Sequence, residues 1–346
     1  MRVMVAMSGG VDSSVAAALL KAEGHEVVGA TMKLWGGHSD TGCCSVADVD
    51  DARRVAQQLG IAHHVFNFSS EFDRHVVEPY VRDHASGRTP NPCVECNRHL
   101  KFERFLDRAL QLGFDAVATG HHAQVVAGPG GRWELRRGVD SLKDQSYVLH
   151  MLAQRQLART LFPVGVLTKA EVRETAASLG LRTAAKPDSQ DVCFISRNGG
   201  REAFLGERIP LRPATVRDRE GTAIGELPAV ELVTVGQRRG LGSMGTVAGQ
   251  RRYAVAVDSD LATVTVGTLE DLLVSTLQLS SMCWVDQPAV AGETLEVQMS
   301  AHGRPVTGAW SPPGKVELGN AARRVAPGQS VVLYRGDSVV GGGVAA

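Results

Sequence analysis

Residues 4–14, MVAMSGGVDSS, constrain this chain more than any other stretch. Val3, Met4, Val5 and Ala6 predict a short buried strand, a helical pattern begins at Val11, and Ser8, Gly9 and Gly10 form the turn between them. Adjacent glycines let backbone approach a ligand closely, and the first N–H groups of the following helix have no partner within it. Such a turn binds anions. Ser8, Ser13 and Ser14 add hydroxyl donors. Asp12 opposes an anion unless a Mg²⁺ stands between its carboxylate and phosphate oxygens; the plainer reading is that it caps the helix. No Gly-Lys-Ser/Thr follows, which excludes the ordinary P-loop.

The strand–helix unit repeats. Apolar Val11, Val15, Ala18 and Leu19 mark a helix over 11–23 with Gly24 at its end. Residues 27–34 predict a strand, 48–59 a helix closed by Gly60, 62–68 a strand, 72–84 and 97–112 helices, and 114–119 a strand. This alternation predicts a doubly wound α/β domain, a parallel sheet covered on both faces. Ligands of such sheets collect beyond the carboxyl ends of strands, so Met32 and Gly120 are candidate walls for a base and a sugar. Residues 125–137, split by Gly128-Pro129-Gly130-Gly131, read as a hairpin or exposed loop, and Thr168-Lys169-Ala170-Glu171 is a capping-box pattern. The character changes near Arg197. Beyond Ile209, β-rich runs at 232–235, 253–257 and 262–266 alternate with Gly-rich turns, interrupted by a short helical stripe at 269–274. Residues 294–340 are again short strands between Gly/Pro turns, which predicts a small barrel or sandwich.

With 346 residues the chain is long enough for two or three domains. Lys plus Arg and Asp plus Glu number 37 each, so any polyanion must be met by a local surface. Six cysteines in a large chain without a secretory leader are expected to be reduced cytosolic thiols. No stretch approaches the ~20 apolar residues of a membrane span, and a cytoplasmic protein with no membrane partner is expected.

Cys93 and Cys96 stand between a Pro-rich loop and a helix start, where the helix dipole favours a thiolate. Cys193 follows in Asp188-Ser189-Gln190-Asp191-Val192-Cys193, a polar loop that runs into an apolar segment expected to be a strand. The loop SGGVDS resembles that of the PP-loop ATP pyrophosphatases, which cleave ATP to AMP and pyrophosphate while adenylating an oxygen. Taken with GRTPNPCVECN and the following Lys101-Phe102, ATGHHA, KDQSYVL, KPDSQDVCFI, VGQRRGL and Pro327-Gly328-Gln329-Ser330, the chain resembles the tRNA-specific 2-thiouridylase family over nearly its whole length.

That resemblance implies a PP-loop domain over 1–197, a β-rich tRNA-contacting domain over 198–267 and a C-terminal β-barrel over 268–346. It implies a nucleotide site at Ala6, Met7, Ser8, Gly9, Gly10, Val11, Asp12, Ser13, Met32 and Gly120, with Asp12 on Mg²⁺. Substrate tRNA would meet Asn91, Pro92, Cys93, His121, Lys143, Asp144, Gln145 and Gln329. The expected substrates are tRNAs for Lys, Glu and Gln, and the sulfur donor a cysteine desulfurase or a sulfur-relay protein. A uridine C2 oxygen leaves poorly until adenylated, which calls for ATP; sulfur then arrives as a persulfide on Cys193, and Cys96 frees the product by forming a disulfide with it.

Some members of the family carry Asp where this chain has Cys93. Three thiols, Cys93, Cys96 and Cys193, also suit a [4Fe–4S] cluster with one open iron. A zinc site combining Cys43 and Cys44 with Cys93 and Cys96 fits ligand spacing badly. His121 and His122 read as metal ligands or as backbone hydrogen-bonding groups, and Arg238-Arg239, Arg251-Arg252 and Arg323-Arg324 as RNA contacts or solvated turns. The rival functions are another PP-loop adenylating synthetase, which would not need Cys96 and Cys193, and a non-catalytic RNA-binding or redox-sensing protein that keeps a nucleotide loop.

Overall fold

The structure, a computed structural model, describes residues 1–35, 46–188, 192–195, 199–247 and 250–346. Among these, a five-stranded parallel sheet runs in the order β3–β2–β1–β4–β7, with β1 Arg2–Ala6, β2 Glu26–Lys33, β3 His63–Asn67, β4 Ala116–Ala118 and β7 Thr160–Leu161. Successive residues of β1 face opposite sides. Met4 packs on Val77, Leu100 and Phe105, whereas Val3 and Val5 pack on Val15, Val55 and Val172. Full burial of such a side chain contributes about 2 kcal/mol. The second layer is α1 Val11–Ala22, α2 Val46–Leu59 and the helix Lys169–Ser178; the first is the helical run beginning at Ser69 and the one beginning at Pro92.

The middle of the chain forms a four-stranded sheet in the order Tyr253–Asp258, Thr263–Gly267, Ala214–Arg217, Ala223–Leu227, over its own core of Val216, Val230, Leu241 and Val264. The last part is a barrel. Strand Leu273–Trp284 pairs antiparallel with both Lys315–Arg323 and Ser338–Ala345, so six strands close on themselves around Leu295, Val297, Trp310, Val331 and Leu333. Residues 125–137 prove to be part of a hairpin, β5 Ala123–Ala127 with β6 Trp133–Arg137, and β6 pairs with the barrel strand Ser338–Ala345. The N-terminal region and the barrel therefore share a sheet. Tyr147 Oη donates to the Ser330 carbonyl at 2.6 Å across that junction.

Several local expectations are corrected. Residues 232–235 form no strand; a short 3-10 turn, Val230–Leu232, carries Val230 and Val233 into the central core. The expected helical stripe at 269–274 is one 3-10 turn, Glu270–Leu272, followed at once by the long strand Leu273–Trp284. Among the described residues, 192–195 form a turn in place of the expected strand, and Phe194 anchors it by packing on Phe72, Tyr80 and Phe204. The helix expected from 97 starts at Pro92 and becomes π-helical over Cys96–Phe105. Cys43 and Cys44 lie outside the described residues.

Candidate active site

The Ser8-Gly9-Gly10 turn has the geometry its residues require. Gly9 sits at φ +74°, and a Cβ there would stand 2.3 Å from the Asp48 carbonyl oxygen at the start of α2, so only glycine fits. Gly10 caps α1 without a side-chain hydrogen bond, which leaves N–H groups of the first turn for a ligand. Ser13 Oγ and Ser14 Oγ donate to the Gly10 carbonyl at 3.2 and 2.8 Å, and the Ser8 N–H donates to Ser13 Oγ at 3.2 Å. Thr31 Oγ1 donates to the Met7 carbonyl at 2.8 Å and fixes the loop's entry. Gly120, just past β4, is pressed against α1: a Cβ would come within 2.5 Å of the Ser13 nitrogen.

This loop forms one wall of a cavity of about 800 Å³. Cys93 and Cys96 enter it from the helix that starts at Pro92, and Cys193 from the turn at 192–195. Loops separated by about a hundred residues thus meet over one sheet edge. Asn91 caps the helix, its Oδ1 accepting from the Cys93 N–H at 3.1 Å. Asn97 Nδ2 donates to the Val148 carbonyl at 2.9 Å and ties the helix to the KDQSYVL segment.

Charge around the cavity is organised by Lys169. Its Nζ donates to both Asp12 oxygens at 2.7 Å and lies 3.0 Å from Asp188 Oδ1. Asp12 also accepts from His122 Nε2 at 3.2 Å. Burial opposes ionisation of Asp12, but hydrogen bonds from His122 and Lys169 with their charge outweigh it and hold its carboxyl below the ordinary range. Burial opposes ionisation of Asp188 too, but Lys143 at 2.8 Å and Lys169 hold its carboxyl well below the ordinary range, with Arg173 at 2.6 Å on its other side.

Three family models cover the chain: the tRNA methyl transferase HUP domain matches residues 1–197, the tRNA methyl transferase PRC-barrel domain 202–268 and the aminomethyltransferase β-barrel domain 274–345. A tRNA-specific 2-thiouridylase of Chloroflexus aurantiacus is 48% identical over 352 residues, spanning 99% of this chain and 97% of the relative. The chain belongs to the tRNA-specific 2-thiouridylase family. Further 2-thiouridylases, from Mycobacteroides abscessus and Corynebacterium kroppenstedtii, are 46% and 45% identical, with 99% of this chain covered and 99% and 94% of theirs.

In this 2-thiouridylase-family chain the cavity gathers most of the residues expected from sequence. Ala6, Met7, Ser8, Gly10, Val11, Asp12, Ser13, Met32 and Gly120 line it, as do Pro92, Cys93, Cys96, His121, Lys143, Asp144, Gln145 and Cys193. Gly9, Asn91 and Gln329 do not. Gln329 instead reaches across from the barrel, its Nε2 donating to the Thr89 carbonyl at 2.7 Å. Asp144 is spent on structure, accepting from the Gly138 and Ser146 N–H groups and from Arg137. His121 is buried in the cavity wall. Among the described residues no three His, Cys, Asp or Glu side chains converge as a metal site.

Lys169 was missed as a site residue. A signal existed: a lysine at the first helical position, beside its Thr168 cap, opposes the helix dipole and needs a compensating anion. His122 read as a metal ligand or a backbone hydrogen-bonding group rather than a partner of Asp12, and Asp188 and Lys101 sat inside recognised motifs with no role attached.

Proposed function

We propose that this chain thiolates the wobble uridine of tRNA in an ATP-dependent reaction, and that the residues of the cavity divide the work. The observation that carries the reading is a single cavity bounded on one side by an anion-binding turn and on the other by three thiols. The N–H groups at the start of α1 and the hydroxyls of Ser8 and Ser13 would hold the pyrophosphate end of ATP, with Met32 and Gly120 beside the nucleoside. Asp12 is suited to one Mg²⁺ shared with phosphate oxygens, since that ion commonly takes one or two carboxylates and completes its shell with phosphate and water; bound there, it would neutralise phosphate charge.

Adenylation of the C2 oxygen turns a poor leaving group into AMP. The outer sulfur of a Cys193 persulfide attacks C2, and the C2–O bond breaks with its electron pair on AMP. Cys96 then attacks Cys193 Sγ, the bond to the transferred sulfur breaks, and the thiolated uridine departs as a Cys96–Cys193 disulfide forms. A dithiol reductant restores both cysteines. The persulfide would come from a cysteine desulfurase or a sulfur-relay protein, and the tRNAs would be those for Lys, Glu and Gln.

The deciding experiment supplies purified protein with tRNA, ATP, Mg²⁺ and a persulfide donor. Thiolated tRNA, with AMP and pyrophosphate released only when tRNA is present, is expected. Cys193→Ser should abolish thiolation while adenylated tRNA accumulates on rapid quenching. Full thiolation by Cys96→Ser and Cys193→Ser would refute the assignment.

A further inference from the structure

Lys101 lies five residues beyond Cys96 in the π-helical segment Cys96–Phe105. Positions five apart in an α-helix point to different sides, whereas i→i+5 bonding stacks them one turn apart. Both residues accordingly line the same cavity. Wide turns of this kind are rare and recur at functional sites.

The Lys101 ammonium meets His121 Nε2 at 3.4 Å. An ammonium only donates, so the imidazole nitrogen accepts, and the ring hydrogen sits on Nδ1, donating to Thr119 Oγ1 at 2.6 Å. Burial first, then the charge of Lys101, drives the His121 pKa well below its ordinary value, so the ring is neutral and cancels no charge. The cavity's carboxylates are engaged elsewhere. Asp12 is held by Lys169 and His122, Asp188 by Lys143, Lys169 and Arg173, and Asp144 by Arg137. On the cysteine helix itself Glu95 pairs with Arg98 and His99, and His302 reaches the cavity from the barrel. Of the cavity's three lysines, Lys101 has no carboxylate within ion-pair distance among the described residues.

We infer that Lys101, steadied by His121, is the positioning cation of the sulfur-release step: its uncompensated charge keeps Cys96 as the thiolate that attacks Cys193. The inference rests on the thiolation reading above. In that step the Cys96 proton has gone to solvent, a thiolate electron pair forms the Cys96–Cys193 bond, and the bond from Cys193 to the transferred sulfur breaks with its pair on that sulfur.

The test is the rate of Cys96 alkylation by iodoacetamide, followed on the Cys96 peptide by mass spectrometry between about pH 5 and pH 9, in the full chain without ATP or tRNA. The wild-type midpoint is expected below the ordinary thiol value of about 8.5. Lys101→Met should raise it by about one unit, slowing alkylation at neutral pH about tenfold, and Lys101→Arg should restore it. A wild-type midpoint at or above the ordinary value, or an unchanged midpoint in Lys101→Met, overturns the inference. Should Lys101→Met not fold, Lys101→Gln is read in the same way, and the wild-type midpoint still decides against the inference if it is not lowered. Because no tRNA is present, failure here is distinct from failure of the thiolation assay.

Discussion

Lys169 is only 12% exposed and stands between two carboxylates. Removing it leaves Asp12 with His122 alone and weakens the hold on Asp188, in a cavity where phosphate charge must be balanced. Lys169→Met is therefore expected to lower tRNA-dependent AMP formation by about two orders of magnitude, the scale seen when one preorganised electrostatic donor is lost. Lys169→Arg should recover part of it. Turnover within a factor of two of wild type in Lys169→Met would show that the hub is structural. At this scale the sequence spoke clearly where one residue type is dictated by backbone, as at Gly9, and where thiols stand in a recognisable motif, as at Cys96 and Cys193. It hinted that Lys169 needs an anion but could not name Asp12 and Asp188, which lie 157 residues before it and 19 after it in the chain. No local pattern encodes such a pairing.

The loop before the cysteine helix is an element held from three sides. Thr89 N–H donates to the Pro327 carbonyl at 2.7 Å, its carbonyl accepts from Gln329, and its hydroxyl meets Thr234 Oγ1 of the central region at 3.2 Å. Cys93 thus owes its place partly to the barrel. Gln329→Ala should speed tryptic cleavage after Arg88, with little change in melting temperature, since one half-buried strut is removed and no core atom. An unchanged cleavage rate would argue that Gln329 serves tRNA directly. The elements legible in advance were four of the five strands of the parallel sheet and the helices around them, whose periodicity is local; the two-residue strand Thr160–Leu161 was not. The 232–235 run misled because a largely apolar stretch marks burial, not pairing; Val233 enters the central core while Leu232 and Val235 pack against two other clusters, without a partner strand. The π-helical stretch was invisible for a related reason: its i→i+5 bonds have no residue signature of their own.

Across the whole molecule, buried histidines stand at the seams. His84 Nδ1 donates to the Glu231 carbonyl at 3.3 Å, joining the N-terminal and central regions, and His150 packs against Gly342 of the barrel. Burial lowers both to about 4 from an ordinary 6.5. Between those two values the unfolded chain binds protons that the folded chain refuses, so stability is full above the unfolded value and declines as pH falls toward the folded one. Each histidine should cost about 2 kcal/mol at about pH 5. Calorimetric melting from neutral pH downward should show this loss beginning near pH 6.5, and a flat profile to about pH 5 would contradict the burial of both rings.

The hairpin β5–β6 has a further consequence, in time. Its closing contact, Ser338 Oγ donating to Glu134 at 2.8 Å, joins residues 204 apart. A ribosome adding ~5–20 residues per second needs roughly 10–40 s to cover that interval. Throughout it the hairpin's barrel-facing edge waits in the nascent chain with its backbone groups unpaired. The cavity cannot acquire its barrel-held Thr89 loop until translation has passed Gln329, so a stalled or shortened chain would carry the motifs for this chemistry without the wall that aligns them.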